Sequence, residues 1–234
     1  NGVKKKQTFD NAGRLSELLY TKSDNTEIVA YRYTRDALGN PVNANETGTL
    51  LPDVTELTKT VQMSFDADNR LIQANSNVYS YDKRGNATRI DRDGQITLFA
   101  YNDENRLVSK TTGTSTVQHI YDGLENRIAR VDNGISTRYV FGYGSDMSHV
   151  LCETDVSGNI TAYYIQGPEI MGRIAGSDQK YYHTDPVGSV IALTESTGVV
   201  SDRYAYTPFG SPAGREGATA NTFTDVGGYG VMTE

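Results

Sequence analysis

Three residues close together carry the side chains of a hydrolase: His183, Asp185 and Ser189. A triad of this kind needs the imidazole between nucleophile and carboxylate, each pair in hydrogen-bond reach. Here one strand and its turn would have to hold all three, so structural roles are expected instead. Asp185 reads as a turn acceptor, Gly188 as a residue for positive φ, and His183 as packed or bonded to backbone. Cys152 stands alone in the alternating stretch Val150-Leu151-Cys152-Glu153 and reads as a small buried apolar residue. His119 and His149 have no metal-ligand spacing with it. Asp91-Arg92-Asp93-Gly94 has the look of a calcium loop. With Asp91 and Asp93 at positions 3 and 5, however, position 1 is Arg89 and position 12 is Ala100, so a hairpin turn of the Asp-Gly type is expected. The reading assigns no catalytic residue, no metal site and no cofactor, and the chain is expected not to be an enzyme.

The elements that must hold these residues are set by a repeat. Phe9-Asp10-Asn11-Ala12-Gly13-Arg14-Leu15 opens it, and Tyr33 to Asn40 is a looser copy. Phe65-Asp66-Ala67-Asp68-Asn69-Arg70-Leu71 and Tyr81-Asp82-Lys83-Arg84-Gly85-Asn86 follow. Then come Tyr101-Asn102-Asp103-Glu104-Asn105-Arg106-Leu107 and Tyr121-Asp122-Gly123-Leu124-Glu125-Asn126-Arg127-Ile128. The last three copies start at 81, 101 and 121, a spacing of 20, whereas the step from 65 to 81 is 16. Each unit has a mechanical reading. The aromatic residue ends a strand and packs on a sheet face. The following Asp or Asn accepts backbone hydrogens in an Asx-type turn. Gly or Asn four residues after the aromatic tolerates positive φ. Arg and Leu begin the return strand, with Leu on the packed side and Arg free to lie over a neighbouring Tyr ring or pair with an Asp.

The segments between copies are rich in β-branched and aromatic residues, as in Ile96 to Tyr101 and Ser136 to Phe141. No segment shows a sustained helical period with caps; Leu15 to Tyr20 comes nearest and is too short. The expected fold is therefore all-β: a meander of antiparallel hairpins forming a curved, spiralling sheet, each hairpin stabilised by its neighbours. Residues 41–60 break the rhythm and are expected to form an insertion loop, with 207–225 a second irregular stretch.

Composition fits this reading. Tyr (16 residues) dominates the large apolar residues, Trp is absent, and Gly (23) far outnumbers Pro (6), which suits a one-sided packed layer with many tight turns. A net charge of −7 with dispersed Arg disfavours a nucleic-acid partner. The one basic run, Lys4-Lys5-Lys6, reads as a solvated strand or arm. No stretch approaches a membrane span, and no segment of this sequence reads as a signal peptide. The chain starts without Met and stops inside motif-like sequence, so the expectation is a fragment or processed piece of something longer.

The F/Y-D-x-x-G/N-R-L units resemble the YD repeats of the Rhs family. Tyr181-Tyr182-His183-Thr184-Asp185-Pro186-Val187-Gly188-Ser189 is similar to that family's Y-H-x-D-x-x-G-S element. Arg203-Tyr204-Ala205-Tyr206-Thr207-Pro208-Phe209-Gly210 is similar to its R-Y-x-Y-x-P-F-G element. In that order the two resemble the Rhs core-associated region, giving expected domains of 1–164 for the repeats and 165–234 for the core-associated region. The resemblance implies a structural shell from a secreted bacterial toxin or effector, enclosing a C-terminal toxin as in toxin-complex C components, or a teneurin-like extracellular barrel. Expected partners are the remainder of the same polypeptide, other shell subunits and a toxin cargo. The alternative is an extracellular adhesion module that binds carbohydrate or protein. The family's usual aspartyl autoprotease segment is not matched after Phe223-Thr224-Asp225. A bacterial origin would make the glycosylation-type tripeptides at Asn45, Asn86 and Asn159 chance matches.

Overall fold

The computed structural model describes residues 2–48, 60–143, 149–207 and 210–233. Among them the chain forms twenty β-strands, one short 3-10 turn and no α-helix. It divides into two compact units, residues 1–57 with 162–234, and residues 58–161.

The first unit starts with β1 (Lys4–Phe9), β2 (Leu15–Thr21), β3 (Glu27–Arg35) and β4 (Pro41–Gly48), an antiparallel four-stranded sheet in sequence order. β4 corrects the expected insertion loop. Its side chains are mostly exposed and show no apolar alternation, yet its backbone pairs with β3 from Val29↔Gly48 to Arg35↔Pro41. Backbone pairing needs no apolar pattern, so the sequence signal was silent there. Residues 49–59 of the expected loop lie outside the described residues.

The second unit is a run of ten strands: β5 (Met63–Phe65), β6 (Leu71–Ala74), β7 (Asn77–Tyr81), β8 (Ala87–Arg92), β9 (Gln95–Tyr101), β10 (Leu107–Thr112), β11 (Ser115–Tyr121), β12 (Arg127–Asp132), β13 (Ile135–Gly142) and β14 (His149–Thr154). Each pairs antiparallel with its sequence neighbours. Two turn types alternate. Asp93-Gly94 and Asn133-Gly134 have positive φ at both positions, the two-residue hairpin turn that Asn-Gly and Asp-Gly favour. At the opposite edge stand the aromatic-Asp corners, each with a one-residue register shift beside its aromatic, as at Ser80/Tyr81 and Ile120/Tyr121. The register lines up Tyr79, Ile90, Thr97 and Thr112 on one face and Ser80, Arg89, Leu98 and Thr111 on the other. Both faces of this unit stay largely half-exposed; Leu98, Ile120 and Val140 are each over two-fifths accessible.

The first unit resumes with β15 (Ile160–Gln166), β16 (Ile170–Ala175), β17 (Asp178–Thr184), β18 (Val190–Thr194), β19 (Val200–Tyr206) and β20 (Pro212–Glu216), again paired in sequence order. β20 corrects the expected irregular stretch at 207–225. Its neighbours Gly210 and Gly217 both have positive φ, which hid a short strand between turn signals. Here the core is dense: Leu18, Tyr20, Ile28, Val29 and Tyr31 of the four-stranded sheet pack on Ile191 and Ala192 of β18. That contact also explains the domain division. The four-stranded sheet buries its apolar face on the C-terminal strands.

Candidate functional site

The corner is the recurring device. At Asp10 the backbone N–H donates to the Arg14 carbonyl (2.8 Å), and the Gly13 N–H donates to the Asp10 carbonyl (2.9 Å). Asp10 Oδ1 accepts the N–H groups of Ala12 and Arg14, both at 2.9 Å, and Oδ2 accepts Arg14 Nε at 2.8 Å. Asp66 repeats this with Arg70 (Nε to Oδ2, 2.7 Å). At Asp36, Asp82, Asp122 and Asp155 an Asn side chain takes the place of Arg, through Asn40, Asn86, Asn126 and Asn159. Donated hydrogens favour the ionised form, so these carboxyls sit below their ordinary value. The backbone donor at Arg14 or Arg70 leads for Asp10 and Asp66, and the Asn side chain leads for Asp36, Asp82 and Asp155. The residue four after the aromatic has positive φ at Gly13, Asn69, Gly85 and Asn105, as expected, and also at Glu125 (72°).

Corners are joined to each other by what ends the next strand. Tyr81 Oη donates to the Leu71 carbonyl (2.7 Å), Tyr101 to Ala87 (3.0 Å) and Tyr121 to Leu107 (2.8 Å). Each acceptor begins the return strand of the preceding hairpin. Tyr143 continues the series, its hydroxyl donating to Asp122 Oδ2 at 3.2 Å. In the first unit Tyr206 donates to Val190 (2.7 Å), and Arg35 Nη2 reaches the Leu15 carbonyl (3.1 Å). The Arg70 guanidinium lies 5.5 Å from the Tyr81 ring centre and that of Arg106 5.2 Å from Tyr121, so Arg both serves its own corner and covers the next aromatic. Phe9 and Phe65 end β1 and β5, the first strands of their runs, and about half of each is exposed.

Two expected positions shift. In the looser copy the strand-ending place belongs to Arg35, two residues after Tyr33, because the corner is Asp36–Asn40. Arg127 is not the counterpart of Arg14. Asn126 holds that place, and Arg127 starts β12 where Leu15, Leu71 and Leu107 start theirs. It is buried there, and burial lowers its pKa.

The C-terminal motifs converge on a junction within the first unit. Asp185 makes the same corner: its Oδ1 accepts the N–H groups of Val187 (3.0 Å) and Ser189 (2.8 Å). Ser189 Oγ donates to Asp225 Oδ1 (3.0 Å) and accepts the Val226 N–H (3.1 Å). The Gly188 carbonyl accepts the Gly228 N–H at 2.8 Å, and a Cβ on Gly188 would lie 2.3 Å from the Tyr229 ring. A Cβ on Gly210 would meet Asp225 Oδ2 at 2.2 Å. Phe223 is fully buried, its ring edge-on to Tyr164 at 5.0 Å. His183 is buried, Nε2 within 2.9 Å of Thr194 Oγ1, and burial, helped by nearby Lys5, lowers its pKa to about 4. Of the hydrolase-type trio, Asp185 and Ser189 share one corner, whereas His183 lies before it on β17 and faces Thr194.

The model for the Teneurin YD-shell family matches residues 3–217. The chain belongs to that family. Among curated relatives of this YD-shell chain, the tRNA nuclease WapA of Bacillus subtilis is 32% identical over 209 residues, covering 87% of this chain and 8% of the relative. Teneurin-1 of Gallus gallus is 28% identical over 231 residues, covering 86% and 8%. The YD-shell chain therefore spans about 8% of the length of these relatives. Among solved structures, that of TcdB2-TccC3-Cdc42 superposes with a TM-score of 0.57 at 14% identity, covering 96% of this chain and 16% of that chain. This establishes likeness of fold: the YD-shell sheet of antiparallel hairpins.

The remaining sequence-chosen residues fall on this YD-shell frame. Arg203, Tyr204 and Tyr206 lie on β19; Arg203 pairs with Glu216 (2.7 Å) and Tyr204 is buried beneath Arg215. Pro208 and Phe209 lie outside the described residues. Sequence reasoning missed the corner at Asp155, though Asp155-Val156-Ser157-Gly158-Asn159 carries the same Asp-x-x-Gly-Asn signal as Asp36 to Asn40 of the looser copy. It also missed buried Asp202, which accepts the N–H (2.9 Å) and hydroxyl (2.5 Å) of Thr219 and so fixes the turn after β20.

Proposed function

We propose that the chain is a stretch of wall in the YD shell of a secreted bacterial toxin-type polypeptide, and that the shell encloses a C-terminal cargo. The carrying observation is where the tyrosines point. A binding surface would present their rings and hydroxyls to an open groove. Instead Tyr81, Tyr101, Tyr121 and Tyr206 spend their hydroxyls on the neighbouring hairpin's backbone. Each such bond contributes on the order of 1 kcal/mol, and their repetition holds a layer with few buried side chains. The nuclease-named relatives support a toxin setting, and the low apolar content suits a wall wetted on its surface. The wall's immediate partners are then the rest of its own polypeptide and the cargo.

The test is protease protection in the full-length polypeptide. The segment after the shell should resist digestion while the shell is native and become sensitive when several ladder tyrosines are replaced by Phe. Equal digestion of that segment with native and weakened shells would refute encapsulation.

A further inference from the structure

Within the first unit, a cleft of about 390 Å³ opens between β1 on one side and β16, the turn that precedes it and β17 on the other. Its walls are apolar, formed by Val3, Pro168, Met171 and Tyr181. Gln7 and His183 also line it, and its charged feature is one ion pair: Lys5 Nζ donates to Glu169 Oε1 (3.0 Å) and Oε2 (2.9 Å). Thr184 Oγ1 donates to the same carboxylate and accepts from Lys5 at 3.1 Å. Both charged side chains keep some accessibility, about a third for Lys5 and a fifth for Glu169. We propose that this cleft binds a small zwitterion with an apolar side chain, of the α-amino-acid type.

Charge balance selects the ligand. A ligand with a single charge that engaged Lys5 or Glu169 would strand the opposite partner half-buried, which is unfavourable. A zwitterion replaces the pair on both sides, its carboxylate at Lys5 and its ammonium at Glu169. Its side chain then meets the Val3, Pro168, Met171 and Tyr181 walls, where the flexible thioether of Met171 adapts to an aromatic or branched shape. The cleft is large enough for a ligand of phenylalanine's size and too small for a folded partner. The site stands independently of the shell reading.

The probes are L-phenylalanine, N-acetyl-L-phenylalanine and L-phenylalaninamide, titrated into the whole chain while the backbone amide signals of Lys5, Tyr181 and Thr184 are followed by NMR. L-phenylalanine should bind saturably with a Kd on the order of a millimolar, as for a ligand of this size. Removing either charge should weaken binding about tenfold or more. Met171→Ala should weaken it several-fold, and Lys5→Met should abolish it, with a thermal melt confirming that each variant is folded. If Lys5→Met does not fold, the two blocked ligands and Met171→Ala still decide the matter. No saturable shift with L-phenylalanine overturns the proposal. So does equal binding of either blocked ligand, or binding indifferent to Met171→Ala.

Discussion

The Asp82 and Asp185 corners share one backbone design and differ in almost everything around it. Both Asp N–H groups donate to the carbonyl four residues on, both carboxylates accept two backbone N–H groups, and Gly85 and Gly188 have φ of 88° and 90°. Asp82 is half-buried and has Asn86 as a side-chain donor, so its ionised form is favoured. Asp185 is enclosed by the C-terminal segment, has Ser189 in the Asn position, and its pKa is raised by burial despite those backbone donors. The turn geometry is thus portable, while the sign of the electrostatic contribution is set by what covers it. The second unit uses the corner as a repeated link between hairpins; in the first unit the Asp185 corner is the floor of a packed junction.

The two glycines break the comparison most sharply. Gly188→Ala should cost about 3 kcal/mol, because the left-handed backbone penalty adds to a clash with the Tyr229 ring. Gly85→Ala should cost only about 1 kcal/mol, since no atom lies within 4 Å of its added Cβ. Urea melts of both variants check this; equal losses would deny the junction its packing. Next in size, Tyr101→Phe should lose about 1 kcal/mol by stranding the Ala87 carbonyl, whereas Phe65→Tyr should be neutral within about 0.3 kcal/mol. Glu125→Gly should gain about 0.5–1 kcal/mol by relieving a left-handed backbone at a non-glycine residue, visible as a raised melting temperature.

The smallest expected effect separates the corners by pH. A lowered carboxyl such as Asp82 contributes stability that is present above its unfolded value near 3.8 and is lost as pH falls through the folded value. A raised carboxyl such as Asp185 behaves oppositely, its contribution being full below 3.8 and lost as pH rises through the folded value. Stability of Asp185→Asn relative to the native chain should therefore improve between about pH 4 and 7. For Asp82→Asn, the deficit should shrink as the medium is acidified below about pH 4. Parallel pH series for the two variants would erase the distinction.

Much of the second unit was legible in sequence because its signals are local. The aromatic, the Asp and the Gly or Asn four residues on each act within one corner, and all four corners from Phe65 to Arg127 form where expected. Their hydroxyl partners were not legible. Which carbonyl Tyr101 reaches depends on strand pairing 14 residues away, and Leu71 or Leu107 contributes a carbonyl rather than a side chain. Arg127 was misassigned because this copy carries Asn126 five residues after the aromatic, where Phe9 and Tyr101 are followed by Arg14 and Arg106, and Arg127 falls one place later, where Leu stands in those copies. In the first unit the Gly188 and Ser189 motif was visible, but its partners Asp225, Val226 and Tyr229 lie far along the chain. The strand at Pro41–Gly48 was hidden because it starts on Pro, ends on Gly and carries mostly exposed side chains, so it is held by backbone pairing alone.

The central claim is that each strand-ending tyrosine secures the corner before it. Amide hydrogen exchange of Tyr101→Phe tests it directly. The amides of Asp82, Gly85 and Asn86, held in the preceding corner, should exchange about fivefold faster, the equivalent of about 1 kcal/mol, while those of Asp122 and Asn126 keep their native rates. Unchanged exchange at Asp82 to Asn86, or uniform acceleration across all corners, would contradict the account.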